Sequence, residues 1–196
     1  MAVTINGTTG IVTPALDTNG NLDVDGGTIK LDGNYPVGTN NVALGDGALD
    51  SGSLTGNNNT AIGTDALTAN TSGGANTAVG RTALESNTIG ERNTAVGLQA
   101  LELNISGNDN VAVGLDALED NTTGASNTAI GTYALTDNTT ASNNTAVGYA
   151  ALTANTTGDR NTAVGTQAAD AITTAVAGTF VGYQAGQGIT TGGSNT

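Results

Sequence analysis

The chain has 196 residues, 37% of them hydrophobic but only 3% aromatic, and it carries 17 acidic against 4 basic residues. Aromatics normally supply much of a core's buried area, so a conventional packed domain is excluded, and a net charge of −13 excludes nucleic acid as a partner because phosphates need Lys and Arg. With no His and no Cys, Ser-His and Cys-His catalysis, imidazole or thiolate metal sites and disulfide staples are excluded as well.

Residues 1–39 come first and lack any period. The start, MAVTINGTTG, has neither the basic n-region nor the apolar h-region of a secretory signal. No run anywhere approaches the roughly 20 apolar residues of a membrane span. An Asn-Gly pair between β-branched residues in VTINGTTGIV predicts a short hairpin, and both prolines, Pro14 and Pro36, fall here. A short, non-repeat, β-rich segment is expected. Within it, DTNGNLDVDG, from Asp17 through Asp25 to Gly26, alternates oxygen ligands as a calcium loop does. Leu22 stands where an EF-hand requires glycine, and the same alternation describes the polar face of a hairpin.

From residue 40 the chain repeats itself. The glycine closing the phrase NTAVG recurs every 17 residues from Gly63 to Gly182, with Gly45 preceding at a spacing of 18. The unit reads N-T-A-V-G-x-x-A-L-x-x-N-T-T-G-x-x, and an alanine follows each glycine by three places in all nine copies, from Ala48 through Ala83 to Ala185. A fixed period implies one structural unit stacked on itself. Apolar bursts are short and separated by Asn and Gly, which tolerate left-handed backbone, and no window shows a helical stripe. The expected fold is therefore all-β: a parallel β-solenoid or β-roll of about nine 17-residue coils over residues 40–196. Equivalent residues should stack about 4.8 Å apart.

Such stacking turns sequence positions into columns. Strand alternation puts Thr77 and Val79 on one face and Ala78 and Gly80 on the other. Val79 and Leu84, with their equivalents, are expected inside the coil, and the alanine column beginning at Ala48 is expected to permit close approach by another layer or chain. Asn76, Asn93, Asn110, Asn127, Asn144 and Asn161 form one asparagine column; Asn70, Asn87, Asn104, Asn121, Asn138 and Asn155 form a second. They read either as hydrogen-bonded ladders or as favourable turn residues. Three or four small apolar side chains per coil make a thin core against a backbone entropy cost of about 1–2 kcal/mol per residue. Oligomerisation is expected to supply the missing burial.

Exceptions to the pattern are where chemistry should lie. Tyr133, Tyr149 and Tyr183 fall in the two free positions after the glycine, at an expected exposed corner; they read either as surface-contact residues for sugar rings on a cell surface or as residues simply tolerated there. Glu85, Glu102 and Glu119 follow the pattern and should stack as a like-charged column, read as a cation row or as a solvated edge. Thr60, Thr77, Thr94, Thr128, Thr145 and Thr162 form a column of the kind that binds ice, interrupted by Val111 and expected to share its face with core aliphatics. No catalytic, cofactor-binding or metal-binding residue is assigned, and a non-enzyme without cofactor is expected.

The phrase N-T-A-V-G-x-x-A-L resembles the head repeat of trimeric autotransporter adhesins, N-x-V-A-I-G-x-x-A, with Val79, Gly80 and Ala83 matching that family's isoleucine, glycine and alanine. This resemblance covers about residues 40–196 and implies three chains side by side, each a β-roll; the unit here is longer than that family's. The opening, with GGTIKLDGNYP running into NNVALG, resembles the beginnings of marine and cyanobacterial phage fibre proteins. That second resemblance implies a virion structural protein, a tail or head fibre whose residues 1–39 dock on other virion proteins and whose repeats form a trimeric shaft supporting host-cell adhesion. It implies assembly in the host cytoplasm, a place on the particle surface, and a host glycan or protein as a further partner. The alternative is a fragment of a bacterial trimeric surface adhesin, for which a signal peptide and a membrane barrel would be expected.

Overall fold

The computed structural model describes residues 39–193, and these form a β-solenoid. Nine three-residue strands follow in chain order: β1 Val42–Leu44, β2 Thr60–Ile62, β3 Thr77–Val79, β4 Thr94–Val96, β5 Val111–Val113, β6 Thr128–Ile130, β7 Thr145–Val147, β8 Thr162–Val164 and β9 Thr179–Val181. They make one parallel sheet whose spatial order is the sequence order. Register is strict: Thr77 pairs with Thr94, Ala78 with Ala95 and Val79 with Val96, and the same holds at every step. The 18-residue first spacing changes nothing here, since Leu44 still pairs with Ile62. The extra residue is absorbed in the connection between coils.

Backbone bonds run up and down the stack. Thr77 N–H donates to the Asn93 carbonyl of the next coil at 2.8 Å, and Gly80 N–H to the Ile62 carbonyl of the previous one at 2.8 Å. Beyond the strand, the Ala-Leu segment turns on left-handed residues, with φ of 54° at Leu84, Leu101, Leu118 and Leu135. Non-glycine residues accept this backbone only when the surroundings fix it. Here Leu84 N–H donates to the Ala100 carbonyl at 3.1 Å while the side chain is fully buried. The glycine column is stricter: Gly97 has φ of 145°, and a Cβ there would overlap the Gly114 carbonyl one coil on. No other residue fits.

The core sits inside the coil and is thin. Each regular coil buries the mid-strand alanine (Ala78, Ala95), the Ala-Leu pair (Ala83 with Leu84, Ala100 with Leu101), two asparagines and a glycine. Two expectations therefore need correction. Val79 and its equivalents lie outside, and the mid-strand alanine takes the interior place. The lumen is narrow enough that a methyl fills it opposite the Leu column. The alanine column from Ala48 to Ala168 is buried within its own chain, so of the two approaches expected it serves that of another layer of the same coil and not that of another chain.

Candidate functional site

Two of the six residues buried in each regular coil are asparagines. In the first ladder an asparagine braces its own coil and ties it to the next: Asn76 Nδ2 donates to the Gly90 carbonyl at 2.8 Å, and Asn76 Oδ1 accepts from the Asn93 N–H at 2.9 Å; Asn144 departs from this, its Nδ2 donating to Asn127 Oδ1 at 3.3 Å. In the second, Asn104 Nδ2 donates to Asn87 Oδ1 at 2.8 Å and to the Gly107 carbonyl at 3.1 Å. Both ladders converge on one carbonyl in five coils, that of Gly73, Gly90, Gly107, Gly124 or Ala141; Gly107 accepts from Asn93 at 2.8 Å and from Asn104 at 3.1 Å. A carbonyl has two lone pairs, and here both are used. Of the two readings of these columns, the ladder is the correct one.

The second ladder stops at Asn155, because the next coil carries Ile172 in its place. Asn155 Oδ1 is left buried without a partner. From here the interior turns apolar: Ile172 and Ala175 are fully buried and Phe180 replaces the mid-strand alanine. Room for the Phe180 ring comes from Gly178 and Gly186, where side chains would collide with it; these are the positions of the ladder asparagine and the core leucine in earlier coils.

Outside, the sheet shows two columns. One is threonine, half-buried along the middle of the stack; the other is Val, Ile or Leu, 36% exposed at Val96, 41% at Ile130 and 70% at Val181. This outward aliphatic column was missed in the sequence. A signal was present, since the strand centre is alanine in eight of nine copies while the residue two past the threonine is always large.

Around the next corner lies an acidic strip. Glu85, Asp116, Glu119 and Asp137 all have carboxyls pushed above their usual values, chiefly by burial and secondly by neighbouring acids, among them Glu102 beside Glu85 and Asp116 beside Glu119. Glu102 and Glu119 do stack, and Gln99 relieves them by donating to Glu102 Oε2 at 2.7 Å and to Glu119 Oε1 at 3.3 Å. Among the described residues no group of three or more acidic side chains is placed to hold a metal ion. Where the chain is exposed, Arg92 bridges Glu91 at 2.6 Å and Asp109 at 2.7 Å. These bonds from Arg92 hold the Asp109 carboxyl below its usual value.

The three tyrosines are exposed. Tyr133 and Tyr149 meet edge to face with ring centroids 5.9 Å apart. Tyr183 stands two coils beyond Tyr149 and is the most exposed of the three, at 71%. The Asp17–Asp25 loop and the rest of residues 1–38 lie outside the described residues. No match to this chain exists among the protein-family models, curated proteins or solved structures compared. Its surfaces must speak for themselves.

Proposed function

We propose that the chain is a virion structural fibre, a tail or head fibre whose coils form a stiff homotrimeric shaft. One observation carries this reading: nine strands in unbroken parallel register along a single axis. Eight inter-strand steps of about 4.8 Å make a rod about 38 Å long from 155 described residues, and further units would lengthen it without widening it. Paired amide ladders brace the middle coils, so stiffness there comes from hydrogen bonds that a thin aliphatic core could not replace. Residues 1–39 serve as the docking part for other virion proteins, in keeping with their resemblance to phage fibre openings. Host contact falls to the exposed tyrosines. The role is mechanical, with no catalysis and no cofactor.

The test is native mass spectrometry of the full chain, combined with negative-stain microscopy. Rods of three chains are expected; a monomer overturns the reading. Peptides of this chain in purified phage particles separate the virion fibre from a bacterial adhesin, which would be found in outer-membrane fractions instead.

A further inference from the structure

The outer face of the sheet has no charged residue in any of its nine strands, on a chain of net charge −13. Acids stand elsewhere, in the strip from Asp65 to Asp137 and at the corner of Glu91 and Asp109. A charge-free apolar column of this length on a soluble surface marks an interaction site. We propose that further copies of this chain cover it, packed parallel and at equal height, with the Val/Ile column of each turned toward a shared axis. This rests on the fibre reading above and names the surface that reading needs.

Three observations favour a second copy over other occupants. First, size: about 38 Å of height, two columns about 7 Å apart and the width of their side chains give on the order of 550 Å² per chain. Closing two such faces buries about 1,100 Å², at the threshold for a specific interface. Second, periodicity: the only surface certain to repeat the step of this one, coil for coil, is the same surface on another copy. A closed cyclic arrangement keeps equal heights together. Third, polarity: the aliphatic column protrudes more than the threonine column in alternate coils, as Ile62, Val96, Ile130 and Val164 are exposed while Thr60, Thr94, Thr128 and Thr162 are half-buried, and in the coils between, Val79, Val113 and Val147 are half-buried like their neighbours. A water lattice held by threonines would want the reverse, and Val111 breaks that row.

The test uses the full chain and two probes. In Val96→Lys combined with Val113→Lys, like charges would meet at one height on the shared axis. Native mass is expected to fall from the assembly to single chains, with the concentration for half-dissociation raised on the order of 100-fold and the far-ultraviolet β signal kept. Leu103→Lys, exposed but off the sheet face, should keep the assembly. Because the native chain has no cysteine, a nitroxide on Val96→Cys reports proximity without adding charge. It should be dipole-broadened by its neighbours, while one on Thr123→Cys should not. An assembly that survives the lysines, or labels that stay dispersed at Val96 within an intact assembly, overturns the face and leaves the fibre standing. A wild-type monomer overturns both. A monomer that also shows thermal hysteresis assigns the face to ice instead.

Discussion

Each regular coil buries two asparagines for every leucine, and those amides have almost no unused valence. Asn104 shows how this works. Its amide donates to Asn87 Oδ1 and the Gly107 carbonyl, while its own Oδ1 accepts from Asn121. In Asn104→Leu the branched shape is kept, but Asn87 Oδ1 and one Asn121 N–H lose their partners. At about 1–3 kcal/mol for each orphaned group, a loss of about 2–6 kcal/mol in denaturant unfolding is expected. A loss under about 1 kcal/mol would mean that the ladder is slack. Both asparagine columns are legible in the sequence because the period aligns them. Which strand face turns inward is not, since alternation defines two faces and leaves their sense open. Ala78 and Val79 are neighbours on opposite sides, and the expectation that the larger residue is interior fails because the lumen has room only for a methyl.

The coil is the element, and its variations show which parts of it matter. In the final coil one ring does the work of two missing side chains. Phe180→Ala should empty that space and destabilise by about 3–5 kcal/mol, with hydrogen exchange accelerating first around β9. Adding Gly178→Asn and Gly186→Leu to that variant rebuilds the regular interior, and recovery of at least half the loss is expected. No recovery would show that the ring does more than fill space. The acidic strip makes a second claim at this scale. A carboxyl whose pKa is raised on folding is penalised while ionised, and the folded state takes up its proton first. Stability should therefore increase as pH falls from neutral through the raised values of Glu85, Asp116, Glu119 and Asp137 toward the usual 4.5 of Glu and 3.8 of Asp, and level off below. Melting curves from pH 7 to 4 check this; a fall across that range would be the wrong sign. Asp109 acts oppositely, but its pair with Arg92 is exposed and contributes little. The like-charged column was legible from Glu85, Glu102 and Glu119. Its relief by Gln99 was not, because only the fold brings that side chain between two coils.

Taken whole, the solenoid of residues 39–193 is nearly one-dimensional, and each coil answers only to the coils on either side. Solenoid class, unit length and strand direction followed from the spacing of Gly63 to Gly182, and the outward aliphatic column did not. Excising residues 93–109 removes one full unit and joins Arg92 to Asn110 with every column still aligned. That variant is expected to fold, with an unchanged β signal per residue, a rod shorter by about 4.8 Å and a melting point lower by a few degrees. Excising residues 93–104 instead shifts every column and should abolish cooperative unfolding; survival of that variant would break the stacking account. The convergence of both ladders on one carbonyl in the middle coils has a genetic counterpart. Since a middle rung's ladder bonds are met within one repeat distance, recombination that adds or deletes one 17-residue unit creates no mismatched joint. Length then becomes a trait that a lineage can adjust in increments, leaving the chemistry of the sides untouched.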